Sequence, residues 1–146
     1  MASAGTSVIP ESHRDIPSTK TLAHIATIGP NGRPQSSPVW IDWDGTHLLF
    51  SQTKSRQKLH NLQRDPHIAL SMTDPSNPYR YLEVRGTVVG ETEEGASEHI
   101  DALARLYLGV DEYPFHQEGD VRVLFKIAPL RVTTMESTMP DFNASS

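Results

Sequence analysis

The chain has 146 residues, of which 36% are apolar and 21% charged, and it carries a formal net charge of −5. This length suits a single domain, and the acidic balance argues against a general nucleic-acid binder, which needs a basic surface. Because the sequence contains no cysteine, disulfides, thiolate catalysis, zinc–thiolate sites and iron–sulfur sites are excluded.

The first half of the chain predicts three strands joined by tight turns. The apolar, partly β-branched run 22–28 is the first strand, and the turn 29–33 leads into a second over 34–43. The dipeptide Asp44-Gly45 is another tight turn, which leads into a third strand over 46–51. We therefore expect a three-stranded meander.

A basic segment follows at 50–66. Its basic residues are Lys54, Arg56, Lys58 and Arg64. An apolar strand end and the stop signal Asp65-Pro66 frame the segment, which predicts a strand, a turn and a short helix with Leu59 and Leu62 facing inward. The segment thus concentrates positive charge around the start of a short helix.

The start of this helix is a candidate phosphate site. We expect Thr53 or Ser55 to cap it, with backbone N–H groups and the positive end of the helix dipole pointing outward. Arg56 and Lys58 lie beside it, and an arginine fork with a lysine point charge suits a phosphate better than a carboxylate. The alternative is that these basic residues only form a solvated helix face.

The second half of the chain predicts three more strands. We expect them over 67–73, over 79–91 with a break at Gly86, and over 121–135, where Pro129 forces a bend or an edge position. With the first three, these make six strands.

A longer helix is predicted from Thr92 to about Gly109, with apolar residues at helical spacing. These residues are Ala96, Ile100, Leu103, Leu106 and Tyr107. Six strands with short links and a few helices predict a small antiparallel β-barrel with the helices outside it.

The chain is predicted to be one domain over 1–146, with its core at about 20–136 and flexible tails at about 1–9 and 137–146. No apolar run approaches the roughly 18 residues that a membrane-spanning helix needs, and the first ten residues lack the pattern of a signal peptide. These features predict a cytoplasmic protein.

The stretches 32–40, 56–66 and 77–86 carry a resemblance to a known superfamily. They read GRPQSSPVW, RQKLHNLQRDP and NPYRYLEVRG. In this order and spacing they resemble the split β-barrel flavin and deazaflavin oxidoreductases, which include the pyridoxamine-phosphate oxidases. The match covers roughly 22–132, and the third stretch with its following acidic helix is most similar to the branch that uses coenzyme F420. The resemblance implies a six-stranded antiparallel split β-barrel with peripheral helices, in a homodimer with cofactor sites at the subunit interface.

The resemblance also implies a cofactor site built from three segments. Gln35, Ser36, Ser37, Pro38, Val39 and Trp40 would lie along the deazaflavin ring; Ser51, Gln52, Thr53, Lys54, Arg56 and Lys58 would hold the ribityl and phosphate portion; and Tyr79, Arg80 and Tyr81 would come from the facing subunit. F420 carries a phosphate and a polyglutamate tail, so Lys54 and Arg80 would favour it over a cofactor with less negative charge. No catalytic residue and no metal ligand is assigned.

The function that this resemblance implies is an F420-dependent oxidoreductase that transfers a hydride between C5 of the deazaflavin and a small organic acceptor. The alternatives are an FMN enzyme of the same fold and a protein that binds F420 without turnover. Individual residues also keep alternatives: dimer packing for Trp40, cross-strand packing for Tyr79 and Tyr81, and strand solvation for Gln35 and Ser37. The seven histidines show no metal-ligand spacing, and His47, His67 and His99 are most simply surface or turn residues.

Overall fold

Seven strands and two α-helices make up most of residues 8–136, the part of the chain that the computed structural model describes. The strands are β1 (Leu22–Ile28), β2 (Pro34–Trp40), β3 (Asp42–Trp43), β4 (Leu48–Thr53), β5 (His67–Asp74), β6 (Asn77–Thr92) and β7 (Arg122–Met135). The helices are α1 (Gln57–Arg64) and α2 (Ala96–Leu108), preceded by two 3₁₀ turns at Glu11–His13 and Ile16–Ser18. The predicted flexible tails fall largely on 1–7 and 137–146, outside the described residues, while Ile9 is fully buried.

All strands pair antiparallel in one sheet of order β2-β1-β5-β6-β7-β4-β3. Strands β2 and β3 stand at opposite ends of this order, yet only Ile41 separates them in sequence. The sheet must therefore curl until its two ends come together, which gives the predicted split β-barrel.

The number of strands is seven rather than the predicted six, because the predicted strand 34–43 is interrupted at Ile41. Its first part pairs with β1 along its whole length, whereas Asp42 and Trp43 pair with Leu49 and Leu48 of β4. The expected three-stranded meander is therefore wrong. Two hairpins, β1–β2 and β3–β4, instead hold the two ends of the sheet.

The irregularity predicted at Gly86 and the edge position predicted for Pro129 are confirmed. The register of β6 against β7 shifts between Arg85 and Gly86, where a Cβ at Gly86 would stand 2.3 Å from the carbonyl oxygen of Ala128. Gly86 pairs with Pro129, which lies beyond Ile127, the last β7 residue paired with β4. Pro129 thus occupies a position with an open edge, where a missing N–H is tolerated.

The barrel interior is filled by alternate residues of the strands. Phe50 of β4 stacks on Phe125 of β7 at 5.2 Å between ring centroids, and Leu59 and Leu62 of α1 close the same core, as predicted. Helix α2 covers the outside of the barrel through a second, smaller cluster. That cluster contains Ile100, Leu103 and Tyr107, with Trp40 and Tyr113 packed against it.

Helix α2 departs from its prediction in two respects. It begins at Ala96 rather than at Thr92, because Gly95 with φ of 80° turns the chain into the helix. Leu106 is 47% exposed, so it does not share the buried face of the other predicted apolar positions. The helix does end at Gly109, which adopts a left-handed conformation. Within 8–136, neither helix has the length and apolar character needed to cross a bilayer.

Candidate functional site

A cleft of about 750 Å³ opens where β2 and β4 diverge. The two ends of the sheet meet only where Asp42 and Trp43 of β3 pair with β4, so on the Trp40 side of this pairing β2 and β4 are not hydrogen-bonded and leave two open edges facing one another. The lining residues are Leu22, Pro38, Val39, Trp40, Ser51, Gln52, Thr53, Ser55, Arg56, Ile100, Tyr113, Phe115, Gln117, Asp120 and Arg122. The barrel split therefore forms a polar wall from β4 and an aromatic wall from β2 and the loop after α2.

Arg56 supplies an uncompensated positive charge at one end of the cleft. Its side chain is exposed and makes no ion pair with any residue in 8–136. Arg56 is also the residue that precedes the first turn of α1, and no side chain caps that turn. The first N–H groups of a helix have no acceptor within the helix, so α1 offers backbone donors beside this guanidinium.

Lys58 lies next to Arg56 but is half-buried. Its Nζ donates to Gln52 Oε1 at 2.9 Å, and burial together with the charge of Arg56 lowers the pKa of its amine. No carboxylate in the described chain pairs with it. An anion bound here would offset both the desolvation of the amine and its repulsion by Arg56.

The predicted caps of α1 are wrong. Thr53 is still part of β4, paired with Arg122 of β7, and its hydroxyl lies 3.2 Å from that of Ser55. Neither hydroxyl accepts from the first turn of α1. Both side chains instead line the polar wall of the cleft. In the first turn of α1 the Leu59 N–H donates to Arg56 O at 3.2 Å, and no side chain accepts from the N–H groups before it.

The aromatic wall is a continuous row of four rings. Trp40 stacks on Tyr107 with 5.1 Å between centroids and meets Tyr113 edge-on at 5.6 Å. Tyr113 in turn meets Phe115 edge-on at 5.5 Å. Trp40 therefore faces the cleft and α2, while Trp43 packs on the barrel core.

Arg122 is a lining residue that sequence reasoning missed. It donates through Nη1 to Ser51 Oγ at 3.0 Å and lies with its guanidinium carbon 4.7 Å from the centre of the Tyr113 ring. In the sequence it stands 66 residues after Arg56, outside the basic segment. One signal could have found it. Arg122 stands at the start of the predicted last strand, and if that strand pairs antiparallel with β4, its start lies beside Thr53 at the end of β4.

Five predicted residues of the first two segments, Gln35, Ser36, Ser37, Lys54 and Lys58, do not line the cleft. Lys54 forms an ion pair with Glu93 at 2.7 Å and lies beside the main cleft, at a smaller recess. Gln35 accepts a hydrogen bond from Asn61 Nδ2 at 3.0 Å and so helps to anchor α1. Ser37 is half-buried, and its buried hydroxyl oxygen has no hydrogen-bond partner within the described chain, while Ser36 is exposed.

Tyr79, Arg80 and Tyr81 do not line the cleft of their own chain. Arg80 is only 12% exposed and forms ion pairs with Asp15, Asp74 and Glu136. Asp15 and Asp74 raise the pKa of its guanidinium, and the bond to Asp15 ties the start of β6 to the N-terminal 3₁₀ turns. Its charge is therefore largely offset within the chain, which weakens the argument that it attracts an anionic tail.

Within 8–136, no group of three or more histidine, aspartate and glutamate side chains has the geometry to hold a metal ion. His99 is not a simple surface residue, since its Nε2 lies 2.9 Å from Asp42 Oδ2 and its side chain is 14% exposed. This contact lowers the pKa of the Asp42 carboxyl and joins α2 to β3. It serves the cleft by holding the helix against the sheet end.

The cleft lining holds hydroxyl, amide and guanidinium groups with one carboxylate and no histidine. Such a set can bind and orient an anionic, ring-containing molecule. It does not include a hydroxyl paired with a general base, so the described lining does not supply a nucleophile of its own.

Comparisons with known proteins agree with this picture. The family model described as pyridoxamine 5′-phosphate oxidase matches residues 9–136. A solved structure named F420 reductase is 34% identical, with 86% of this chain and 98% of that chain covered and a TM-score of 0.76.

Two more distant structures share the fold. A conserved hypothetical protein from Mycobacterium tuberculosis is 22% identical over 94% of this chain and 95% of that chain, with a TM-score of 0.69. General Stress Protein 26 from Bacillus anthracis is 19% identical over 86% and 92%, with a TM-score of 0.63.

Proposed function

Since the chain belongs to the pyridoxamine 5′-phosphate oxidase family, we propose that it is an oxidoreductase that binds coenzyme F420 in the cleft between β2 and β4. It transfers a hydride between this cofactor and a small organic acceptor. The observation that carries the proposal is the pairing of Arg56 with a half-buried Lys58 at the uncapped start of α1, which is a site for a phosphate.

The residues present suit the chemistry of this cofactor. A phosphate would satisfy the backbone donors of α1, the guanidinium of Arg56 and the amine of Lys58. The hydroxyl groups of Ser51 and Thr53 suit a ribityl chain, and Pro38 and Trp40 offer apolar surface to a ring. When bound in its reduced form, F420 supplies a hydride from C5 of its deazaflavin ring.

The protein's own contribution is binding, orientation and the exclusion of water. Trp40 is held by Tyr107 and Tyr113, so the apolar wall is positioned before any ligand arrives. A fixed wall lowers the entropy that is lost when a donor and an acceptor are aligned. Arg56 and Lys58 would hold the far end of the cofactor and leave the open side of the cleft to the acceptor.

The choice of F420 is supported by the F420 reductase that is 34% identical to this chain. FMN is the alternative, because the superfamily that the sequence resembles includes flavin enzymes and FMN also ends in a phosphate. The ion pairs of Lys54 and Arg80 within the chain favour this alternative, since they remove two of the positive charges that would attract the polyglutamate tail of F420.

The functional unit is proposed to be a homodimer whose two subunits share each site. Tyr79 and Tyr81 lie on one face of β6, away from the cleft of their own chain, with Tyr79 46% exposed. On the same face, Tyr81 is paired with Met135 of β7, and Arg85 of β6 with Arg131. Tyrosine, methionine and arginine are enriched where subunits meet, which supports this face as the contact with a second barrel.

The test is a side-by-side titration of the purified protein with oxidised F420 and with FMN, followed by tryptophan fluorescence. Trp40 lines the cleft, so either ligand should quench its emission. We expect F420 to bind more tightly than FMN, and the reduced F420 complex to be oxidised when a quinone, enone or tetrapyrrole acceptor is added. Tighter binding of FMN would establish the alternative, while F420 binding without oxidation by any acceptor would indicate a carrier.

A further inference from the structure

We propose that Arg122, Tyr113 and Phe115 form a second subsite in the cleft, which holds an organic anion with a planar body and thereby selects the acceptor. The inference rests on the proposed function, because it places the acceptor in the same cleft as the cofactor. It assigns a chemical class to a substrate for which the family and the fold give none.

Arg122 is held in place before any ligand binds. Its Nη1 donates to Ser51 Oγ at 3.0 Å, and the guanidinium carbon lies 4.7 Å from the centre of the Tyr113 ring. A guanidinium group has five N–H donors, so one bond to Ser51 leaves the others for a ligand. A fork fixed between a hydroxyl and a ring loses little entropy when it binds a carboxylate.

The charge of Arg122 is not neutralised within 8–136. No carboxylate there lies within ion-pair distance of it, although the side chain is half-buried. Asp120 lines the same cleft, but its Oδ2 accepts from the backbone N–H of Gln117 at 2.9 Å and so shapes the loop. A partly desolvated cation without a counter-ion favours an anionic ligand.

The surface beside Arg122 is aromatic. Tyr113 meets Phe115 edge-on at 5.5 Å, and Phe115 is 63% exposed although it is among the largest apolar side chains. An exposed aromatic ring at the mouth of a cleft is typical of a binding surface rather than of a core. A planar ligand would cover Phe115 while its anionic group reached Arg122.

Arg122 is not needed for the cofactor phosphate. Arg56 and Lys58, at the start of α1, already supply two positive groups and the helix donors. Arg122 begins β7, and its guanidinium lies where Ser51 and the aromatic loop meet. The cleft thus has two positively charged sites, and the one at Arg122 binds the acceptor.

The experiment measures the binding of 1-naphthoate and 1-naphthamide by isothermal titration calorimetry, with and without saturating F420. The two probes share a planar body and differ in charge. We expect the wild-type protein to bind naphthoate at least about 10-fold more tightly than naphthamide, and Arg122→Gln to remove this preference while changing the Kd for F420 less than the Kd for naphthoate. Tyr113→Leu should weaken both probes.

The matched control is Arg33→Gln, which removes an exposed arginine from the turn between β1 and β2, outside the cleft, and should keep the preference. Equal affinity of the wild-type protein for both probes would overturn the proposal. So would an Arg122→Gln variant that loses F420 affinity but keeps the naphthoate preference, because Arg122 would then belong to the cofactor. A wild-type protein that prefers naphthoate but does not bind F420 would contradict the proposed function and leave the anion subsite supported.

Discussion

The indole of Trp40 stacks on the ring of Tyr107, with 5.1 Å between centroids and 19° between ring planes. Trp40 ends β2 and Tyr107 lies in α2, so the contact fastens a wall of the cleft to the helix outside the barrel. The Tyr107 hydroxyl also donates to Thr21 O and accepts from the backbone N–H of Ile41, where the strand changes its partner. The cleft wall and the strand break therefore depend on the same side chain.

Removing only the hydroxyl separates these two roles. Tyr107→Phe keeps the stack on Trp40 but leaves the buried N–H of Ile41 without its acceptor, so the free energy of unfolding should fall by about 1–3 kcal/mol. The affinity for F420 should hardly change. Tyr107→Leu loses the stack as well, and should lower both stability and affinity. Urea denaturation and fluorescence titration measure the two effects, and a Phe variant as stable as the wild type would contradict this account.

Arg56→Ala and Lys58→Ala test the phosphate site. Each charge-assisted bond contributes roughly 1.5–3 kcal/mol, so either substitution should weaken F420 about 10- to 100-fold. Arg56→Ala should shift stability by no more than about 0.5 kcal/mol because that side chain is exposed. Lys54→Ala is the control: its amine is paired with Glu93 beside the cleft, so its loss should matter less and only at low salt. Unchanged affinity in the Arg56, Lys58 double variant would remove α1 from the site.

The ion pairs of Arg80 predict a pH dependence of stability. The hydrogen bond from Arg80 is the main cause that lowers the pKa of the Asp15 carboxyl. A carboxyl with a lowered pKa stabilises the folded state above about pH 3.8, and this contribution is lost as the pH falls below that value. Arg80→Gln should therefore be less stable than the wild type at pH 7, and the difference should shrink below about pH 3.8.

The control for Arg80 is Arg85→Gln. Arg85 lies on the same strand, but its side chain is 64% exposed and its partner is only the neighbouring Glu83. Its loss should change the free energy of unfolding by less than about 0.5 kcal/mol at any pH. Urea denaturation at pH 7 and pH 3 measures both variants. If Arg80→Gln lowered the free energy of unfolding equally at both pH values, the Asp15 carboxyl would not be stabilised by Arg80.

A shared site in a homodimer predicts complementation between two variants. Sedimentation at low micromolar concentration should first show a dimer. Arg56→Ala and Tyr81→Ala homodimers should each bind F420 weakly, because every site then contains one defect. After unfolding and refolding the two variants together, each heterodimer would contain one intact site, so part of the tight binding should return. A mixture without any tight binding, or a monomer that binds F420, would refute the shared site.

Most of the fold could be predicted because its signals are local. The turns at Gly32 and Gly45 require a positive φ, and both glycines adopt one, at 74° and 97°. The interruption at Ile41 could not be predicted in this way, because the sequence around it continues as a strand. What changes there is the partner, from β1 to β4, and a partner is a property of the folded sheet.

The site was predicted less completely for the same reason. The basic segment showed Arg56 and Lys58 directly, but the sequence did not show that Glu93 pairs with Lys54 or that Asp15 and Asp74 surround Arg80. Arg122 was missed because it reaches the cleft only through the pairing of Thr53 with β7. Charges are visible in a sequence, while the contacts that offset or place them are not.

The bond between Arg122 and Ser51 joins residues that are 71 positions apart. On a ribosome, β4 emerges long before the strand that completes it, whereas β1 and β2 can pair as soon as their turn is made. The polar wall of the cleft is therefore completed late in synthesis. Of the lining residues, Arg122, which is proposed to bind the acceptor, is synthesised last. A nascent chain that stops short of β7 would expose the open edge of β4 to other chains, so completion of the binding site and protection from aggregation are achieved in the same step.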